Sequence, residues 1–204
     1  MTPAKRVADI ALALLLLVPL APVMCVIALL ILLRDGRPVL YPSERMRTPS
    51  DPFTLLKFRT MSSAEGDTGV SGGDKATRIT PTGARLRKAR LDELPQLLNI
   101  LKGDMSFVGP RPPLRRYTEM FPELYGEVLR ARPGVTGLAT LLLHHRESRL
   151  LDECRTAEET EAVYTRRCIP PKAKLDLLYR DNRTLCWDMV ILLQTLRAVG
   201  KRRR

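Results

Sequence analysis

The chain has 204 residues, enough for one domain with a core and one appended element but short for two full domains. It carries 34 Lys and Arg against 22 Asp and Glu, so an anionic partner is expected: nucleic acid, a membrane surface or a phosphorylated small molecule. No basic stretch is interleaved with aromatic residues, so no nucleic-acid partner is predicted. The four cysteines contain no C-x-x-C pair, and neither a disulfide framework nor a zinc site is indicated.

The first predicted element is a membrane helix. Residues 10–33 carry no charge and, as a straight helix, would cover about 36 Å against a hydrocarbon core of about 30 Å. This apolar stretch is longer than a signal-peptide core of about 7 to 15 residues and has no small-residue cleavage site. The helix is therefore expected to remain in the mature protein.

Basic residues flank both ends of this helix and argue against a simple span. Lys5 and Arg6 precede it and Arg34 and Arg37 follow it, and both clusters favour the cytoplasmic side of a membrane. Pro22, near the midpoint, is expected to kink the helix. A re-entrant helix satisfies both flanks, and the alternative is a single span that tolerates its proline.

A β-hairpin is predicted next. Short β-favouring runs at Val39–Tyr41 and Phe53–Met61 are separated by Pro, Ser and Asp. Period-two alternation places Lys57 and Arg59 on one face, where they could line an anionic site. The alternative is that they protect an exposed edge strand from aggregation.

A loop and then a basic helix follow the hairpin. Residues 62–74 are rich in Gly, Ser and Asp, which predicts a mobile loop or lid and matches no phosphate-loop spacing. Residues 82–103 show helical spacing of leucines, and Pro95 suggests a fresh helix start inside this range.

Two adjacent carboxylates, Asp92 and Glu93, precede that helix start. In the first helical turn, the helix dipole would favour their ionised forms. An ionised Asp92 is a competent nucleophile toward phosphorus, and Glu93 is then free to hold a divalent metal. The alternative is that both residues only stabilise the start of the helix.

An arginine held between prolines lies about one short helix downstream. Arg111 belongs to the sequence "GPRPP", in which the prolines stiffen the backbone and Gly109 permits close approach. Its guanidinium is therefore suited to a bidentate phosphate contact. Further cations available to such a site are Arg87, Lys57 and Arg59.

The C-terminal third has fewer chemical signals. The stretch Arg132–Leu138 predicts a turn, and His144 and His145 lack the spacing of a metal site. Residues 170–204 predict two short helices that end in the basic run Lys201–Arg204. They suit either a membrane interface that binds anionic lipids or packing against the core.

Taken in order, several motifs resemble the bacterial sugar transferases, in particular the small monotopic phosphoglycosyl transferases. They are "KRVAD", the apolar run broken at Pro22, "KFRTM", "LDELPQLLNILKGDMSFVGPRP" and "RPGVTG". The resemblance implies transfer of a sugar-1-phosphate from a nucleoside-diphosphate sugar, such as a UDP-sugar, to polyprenyl (undecaprenyl) phosphate. Mg²⁺ is the implied cofactor. The implied products are a polyprenyl-diphosphate-linked sugar and a nucleoside monophosphate, in the first membrane step of exopolysaccharide, O-antigen, capsule or glycoprotein glycan assembly.

The resemblance also implies roles for particular residues. Asp92 would form a covalent sugar-phosphate intermediate, and the pair Asp92 and Glu93 would hold Mg²⁺. Arg87 and Arg111 match the family's arginines, and Pro112 belongs to the same Gly-Pro-Arg-Pro motif as Arg111. The family's re-entrant helix bends at a Ser-Pro pair, which is Ala-Pro here, at Pro22. After "RPGVTG" the chain departs from the usual Asn-Gly-Arg turn.

The expected fold is therefore mainly α with a short β-hairpin, in the α+β class. Residues 1–34 form the re-entrant helix, residues 35–169 a cytoplasmic catalytic domain, and residues 170–204 C-terminal helices of the same domain. The implied location is the cytoplasmic face of the bacterial inner membrane, and a homodimer is left open. Two other functions stay open: a lipid-pyrophosphate hydrolase and a non-catalytic membrane anchor that recruits anionic partners.

Overall fold

The computed structural model describes residues 1–62, 70 and 72–201, with side chains through residue 198. Most of the predicted loop 62–74 and most of the basic run Lys201–Arg204 lie outside these described residues. Within them the chain is mainly helical with a short hairpin, as the sequence predicts.

The elements follow one another in this order. The helices are α1 (Pro3–Arg34), α2 (Pro81–Ala89), α3 (Gln96–Lys102), α4 (Arg115–Met120), α5 (Pro122–Val128), α6 (Leu138–Asp152), α7 (Ala157–Val163), α8 (Ile169–Asn182) and α9 (Leu185–Lys201). The strands are β1 (Leu40–Thr48), β2 (Asp51–Phe58), β3 (Ser106–Val108) and β4 (Gly134–Thr136). Tight 3₁₀ turns occupy Gly73–Arg78 and Leu91–Glu93, and a π-helical turn occupies Tyr164–Cys168.

Helix α1 is one continuous helix that runs through Pro19 and Pro22. It is long and apolar enough to cross a membrane, and few of its side chains are buried against the protein. Ala13, Ile27 and Ile31 are the buried apolar side chains on it. Its membrane helix character agrees with the sequence, while the bend at Pro22 and the re-entrant path stay predictions.

Polar side chains fasten the N-terminal end of α1 to the rest of the protein. Arg6 donates from Nη1 to the carbonyl of Ile100 at 2.5 Å and from Nη2 to that of Leu101 at 2.7 Å. These carbonyls lie at the C-terminal end of α3, where main-chain acceptors lack partners within the helix. Asp9 Oδ1 accepts from the backbone N–H of Phe107 at 3.3 Å. The motif "KRVAD" thus has a structural role.

The C-terminal end of α1 is fastened in the same manner. Arg59 Nη2 donates to the carbonyls of Asp35 and Gly36 at 2.5 and 2.7 Å. Thr80 Oγ1 donates to Asp35 Oδ2 at 3.0 Å. Both ends of α1 therefore contact the part of the chain that follows it.

The hairpin pairs β1 with β2 in antiparallel register, with Tyr41 opposite Lys57 and a bulge between Met46 and Thr48. The first strand is longer than predicted, because it continues through Pro42. A two-stranded sheet has only edge strands, where a missing proline N–H is tolerated. The second strand ends at Phe58, earlier than predicted.

A short parallel pair, β3 with β4, was not predicted; the sequence indicated only a turn at Arg132–Leu138. Gly109 N donates to the carbonyl of Thr136 at 2.9 Å, and Gly134 N donates to that of Pro110 at 2.9 Å. A Cβ atom on Gly109 would lie 2.1 Å from the carbonyl oxygen of Arg132. The close approach that Gly109 permits is therefore to the protein's own backbone, which fixes the segment that carries Arg111.

The two predicted C-terminal helices are present as α8 and α9. Tyr179, on α8, is buried and donates to the carbonyl of Val108 at 3.0 Å, and Ile191 on α9 is also buried. These side chains share one core with Ala13 and Leu55. The outer face of α9 leaves large apolar side chains exposed, namely Met189, Val190, Leu193 and Leu196. Both predicted alternatives thus find support: one face packs and the other is apolar and exposed.

Asn99, on α3, ties the helix to the hairpin. It is fully buried, and its Oδ1 accepts from the N–H of Leu56 at 3.0 Å. Its Nδ2 donates to the carbonyl of Thr54 at 2.7 Å and to Asp104 Oδ2 at 3.1 Å. The Asn99 side chain thus provides hydrogen-bond partners for main-chain groups at one edge of β2 that would otherwise be buried and unpaired.

Replacing Asn99 with Ala should therefore lower stability strongly. The change leaves the Leu56 N–H and the Thr54 carbonyl unpaired, at a cost of about 1 to 3 kcal/mol for each group. We expect a clearly lower thermal midpoint in detergent solution, with Lys102→Ala, on the exposed face of the same helix, as the control. A midpoint for Asn99→Ala equal to that of the control would contradict this role.

Candidate active site

A cavity of about 1030 Å³ lies between the hairpin, the turn that carries the two acids, the "GPRPP" segment, and helices α6 and α8. It brings together every residue that the sequence predicts for phosphate or metal binding. The predicted residues that line it are Lys57, Arg59, Arg87, Asp92, Glu93, Arg111 and Pro112.

Asp92 and Glu93 lie in the 3₁₀ turn between α2 and α3, before the first turn of α3. The prediction of a separate start near Pro95 is confirmed, because α3 begins at Gln96. The prediction that the acids occupy its first turn is wrong. Arg90 causes the difference: it ends α2 with a left-handed φ of 58°, a conformation that non-glycine residues seldom adopt.

Asp92 is the less charge-stabilised of the two acids. Its Oδ1 is buried and has no hydrogen-bond partner among the described residues. Burial raises the pKa of Asp92, the charge of Glu93 raises it further, and Arg87 and Lys57 oppose these effects. This direction is opposite to the helix-dipole expectation, because the carboxyl lies outside the helix and is desolvated.

Glu93 has the contrasting environment. Its Oε1 accepts from Arg111 Nη2 at 3.1 Å and lies 3.6 Å from Arg90 Nη1. Burial alone would raise the pKa of Glu93, but the charges of Arg111 and Arg90 outweigh it and lower that pKa. Glu93 is therefore held as a carboxylate.

Lys57 lines the cavity, as do Arg45, Arg87 and Arg111, and these four residues form its cationic wall. Its pKa is lowered to about 8 by burial and by the charges of Arg45 and Arg111, while Asp92 acts in the opposite direction. Its Nζ lies 4.9 Å from the centre of the Tyr41 ring. An anion entering this side of the cavity would therefore meet a lysine with no ion-pair partner among the described residues.

Arg59 differs from the other predicted cations. It lines the cavity, but its Nη2 is bound to the carbonyls of Asp35 and Gly36 at the end of α1. Its contribution to phosphate binding stays a prediction, and its observed contacts are structural.

Arg45, which the sequence prediction missed, adds a further cation to this wall. Its Nε lies 3.3 Å from Ser43 Oγ and its Nη1 lies 3.3 Å from the carbonyl of Pro112, to which it donates. Burial and the charge of Arg111 lower its pKa to about 10. No carboxylate in the described part of the chain pairs with it. Arg45 and Arg47 alternate on β1, and this pattern is also typical of an exposed edge strand, so the sequence did not mark Arg45 as a site residue.

The donor set can be tested for a magnesium ion. Among the described residues no group of three or more His, Cys, Asp or Glu side chains is placed to hold a metal. Magnesium sites commonly use one or two protein carboxylates and complete the octahedron with water and substrate phosphates. Asp92, with its unpartnered Oδ1, and Glu93 fit that pattern, provided that a phosphorylated substrate supplies the remaining oxygen ligands.

His144 also reaches the cavity, on α6. Its Nε2 lies 2.8 Å from Arg90 Nη2, and the guanidinium can only donate, so His144 accepts. The contact links α6 to the residue that shapes the acid-bearing turn. Nothing in it suggests a metal ligand.

Comparison with known proteins extends this picture. The family model described as bacterial sugar transferase matches residues 1–202. The uncharacterized sugar transferase EpsL of Bacillus subtilis (strain 168) is 35% identical over 195 residues, which cover 96% of this chain and 86% of EpsL. The exopolysaccharide production protein ExoY of Sinorhizobium fredii (strain NBRC 101917 / NGR234) is 32% identical over 212 residues, with 96% and 84% covered.

A third relative is the UDP-glucose:undecaprenyl-phosphate glucose-1-phosphate transferase of Escherichia coli (strain K12). It is 37% identical over 166 residues, which cover 79% of this chain but only 36% of the E. coli protein. The family match over nearly the whole length includes all the cavity-lining motifs. The chain therefore belongs to the bacterial sugar transferase family and is a transferase, as its motifs predict.

Proposed function

We propose that this enzyme transfers a sugar-1-phosphate from a nucleoside-diphosphate sugar to polyprenyl phosphate in two steps, through a covalent intermediate on Asp92. The observation that carries the proposal is the unpartnered, buried Oδ1 of Asp92 in a cavity walled by Lys57, Arg87 and Arg111. Three relatives that are named as undecaprenyl-phosphate sugar-phosphate transferases support the substrate classes.

In the first step, a carboxylate oxygen of Asp92 attacks the sugar-bearing phosphorus of the donor. The bond from that phosphorus to the bridging oxygen breaks, and its electron pair leaves with the nucleoside monophosphate. A desolvated carboxylate that accepts few hydrogen bonds is a better nucleophile than a hydrated one. Because Arg87 and Lys57 oppose the rise in its pKa, Asp92 keeps access to the ionised form that the attack needs.

In the second step, an oxygen of polyprenyl phosphate attacks the same phosphorus. The bond between phosphorus and Asp92 breaks, which regenerates the carboxylate and leaves a polyprenyl-diphosphate-linked sugar. Two in-line displacements at one phosphorus need little covalent chemistry beyond positioning and charge neutralisation. The cations Lys57, Arg45, Arg87 and Arg111 supply that neutralisation from the protein.

Magnesium is the proposed cofactor, held by Asp92 and Glu93 together with phosphate oxygens of the donor. When bound, it would neutralise charge on the phosphoryl groups. Arg111 would act on both the metal ligand and the substrate. It donates a hydrogen bond to Glu93, and its remaining N–H groups can donate to a phosphate. The relatives' names point to a UDP-sugar as donor, to undecaprenyl phosphate as acceptor and to exopolysaccharide production. We propose that this enzyme acts at the start of such an assembly.

For the membrane, we propose the re-entrant arrangement, with the catalytic residues at the cytoplasmic face. At the N-terminal end of α1, Lys5 forms an ion pair with Asp188 on α9; at the other end, Asp35 accepts from Thr80. Between these ends, Leu15 and other side chains near the middle of α1 are exposed. In this middle part, one face of the helix packs on the core through Leu16, Leu17 and Leu20, and the opposite face, with Leu15 and Val18, is exposed. Because the whole helix lies along one domain, lipid would cover its exposed face from one side of the membrane.

The two-step mechanism predicts a half-reaction without lipid. Purified enzyme, UDP-sugar and Mg²⁺ should release up to one equivalent of UMP and add a sugar-phosphate mass to the peptide that contains Asp92. Asp92→Asn should abolish both signals, and Glu119→Gln, an exposed acid away from the cavity, should preserve them. Mass spectrometry and UMP release provide the two measurements.

Other outcomes of this experiment are equally informative. Release of UMP only after polyprenyl phosphate is added, with no trapped adduct, would replace the covalent mechanism with a direct transfer. Continuous production of free sugar phosphate without lipid would identify a hydrolase.

Lys57 predicts a specific pH dependence. In the free enzyme its pKa is about 8, so its charge, and with it the affinity for an anionic donor, falls as the pH rises through this value. We expect kcat/KM, which reports the free enzyme, to fall between about pH 7 and 9. Lys57→Arg should retain activity without this fall, because arginine stays protonated. An identical profile in the two proteins would exclude Lys57 as the titrating group.

The re-entrant arrangement predicts that both ends of α1 face the cytoplasm. Single cysteines would replace Thr2 and Arg37 in a variant without native cysteines; Gly36 is avoided because its φ is 78°. A membrane-impermeant maleimide should label neither site in intact cells and both in inverted membrane vesicles. Labelling of just one site in intact cells would show that α1 spans the bilayer.

A further inference from the structure

A buried polar cluster on another part of the cavity wall is not used by the mechanism above. It consists of Glu147 on α6, Tyr164 in the π-helical turn, and Lys172 and Asp176 on α8, and all four line the cavity. Lys172 and Asp176 are 9% and 7% exposed, which is unusual for charged side chains. No hydrogen bond connects this cluster with Asp92 or Glu93 in the part of the chain that the structure describes.

Three members of the polar cluster contact one another. Lys172 Nζ donates to Glu147 Oε1 at 2.9 Å and to the Tyr164 hydroxyl at 3.3 Å. The same Nζ lies 5.0 Å from the centre of the Tyr164 ring. The pair joins α6 to α8, but a buried ion pair adds little stability compared with apolar residues of the same size. Fold stability alone therefore gives a weak reason for its presence.

Asp176 lacks such contacts. It makes no hydrogen bond with any described residue, although it lies one helical turn after Lys172. Burial raises its pKa to about 7, with Lys172 acting in the opposite direction and Glu147 in the same direction. A buried carboxyl without a partner costs stability, and in a cavity it marks a candidate ligand contact.

Arg111 connects the polar cluster with the acids. The charge of Glu93 raises the pKa of Arg111 most, and Glu147 and Tyr164 raise it further. Arg111 donates to Glu93 Oε1 at 3.1 Å and lines the same cavity as the polar cluster. A donor phosphate bound by Arg111 would therefore lie in the cavity that Glu147, Tyr164 and Lys172 also line.

The chemistry of the polar cluster selects the kind of group it can hold. Carboxylates accept hydrogen bonds from hydroxyls, whereas the ammonium of Lys172 donates to hydroxyl oxygens. The cluster holds two carboxyls, Glu147 and Asp176, and one ammonium, Lys172, so it offers no net positive charge to an anionic sugar such as a uronic acid. A neutral unit with several hydroxyl groups satisfies all of these side chains.

Resting on the proposed function, we propose that the polar cluster binds the hydroxyl groups of a neutral glycosyl unit of the nucleotide-sugar donor. That unit is either the transferred pyranose or the ribose of the nucleoside, which present the same chemistry. In this assignment Asp176 is a donor-binding residue, and Lys172 and Glu147 orient each other for the same contact.

Asp176→Asn tests this assignment, because the change keeps the side-chain shape and breaks no hydrogen bond with the described protein. We expect an unchanged or higher thermal midpoint, since a buried unpaired carboxyl is removed. The KM for the UDP-sugar that serves wild-type enzyme best should rise about tenfold or more, as for loss of a hydrogen bond to a charged group. The matched control is Asp181→Asn, an exposed residue of the same helix, which should change neither quantity.

Inhibition by UMP separates the two sources of hydroxyl groups. If Asp176→Asn weakens UMP and the UDP-sugar to the same extent, the polar cluster holds the ribose. If only the UDP-sugar is weakened, it holds the pyranose. A second variant, Glu147→Gln with Lys172→Met, removes both members of the ion pair and should show the same pattern.

Three results would overturn the assignment. Donor KM and UMP inhibition within twofold of wild type in both variants would show that the cluster does not contact the donor. A lower thermal midpoint in Asp176→Asn, with a reduced kcat and unchanged KM, would show a structural role. If wild-type enzyme releases UMP from none of the UDP-sugars, both the proposed function and this inference are refuted. If wild-type enzyme is active and the variants behave like it, only the role of the polar cluster is refuted.

Discussion

The hydrogen bond between Glu93 Oε1 and Arg111 Nη2, at 3.1 Å, joins the two motifs on which the site depends. It brings the acid-bearing turn against the proline-stiffened segment and gives two adjacent carboxyls opposite environments. Glu93 is held ionised by Arg111, whereas Asp92 is desolvated and has an unpartnered oxygen. Neighbouring acids with pKa values shifted in opposite directions are suited to two different roles at one site.

Local backbone constraints on each side make that bond possible. Arg90 ends α2 in a left-handed conformation, so the acids fall in a tight turn that faces the cavity and not on the helix that follows. On the other side, the main chain around Gly109 packs against β4 so closely that a side chain would collide with Arg132. Strain and close packing of this kind are found where geometry at a site matters more than local stability.

The cationic wall of the cavity, formed by Arg45, Lys57, Arg87 and Arg111, is also unfavourable for the protein alone. Arg45 and Lys57 have lowered pKa values because they are partly buried near Arg111 and form no ion pair with a carboxylate of the described residues. Gathering like charges in a partly desolvated cavity is unfavourable for the protein alone. A bound diphosphate would reverse the balance, since it supplies the missing negative charge. The arrangement is therefore best understood as one half of an electrostatic complex.

Sequence reasoning could predict the elements and residues whose signals are local. Apolar length predicted α1, and motif resemblance predicted the cavity residues Asp92, Glu93 and Arg111. It could not predict Arg45 or the β3–β4 pair, because these depend on which distant segments meet. It also predicted the wrong direction for the pKa of Asp92. The helix-dipole argument placed this residue in the first turn of α3, but the left-handed Arg90 ends α2 and α3 begins only at Gln96. Long-range packing and desolvation are the quantities that a linear pattern does not contain.

The structure also joins the long apolar helix α1 to the strand that carries Lys57. Arg59, which binds the carbonyls that end α1, is two residues from Lys57, and Lys57 pairs across the hairpin with Tyr41. Tyr41 and its neighbour Leu40 are exposed, at 41% and 38%, and Tyr41 also lines the cavity. Apolar surface thus adjoins the cationic wall at the end of the membrane helix. This combination would suit the proposed acceptor, a phosphate carried on a long lipid chain, because the chain would stay in the membrane while the head group entered the cavity.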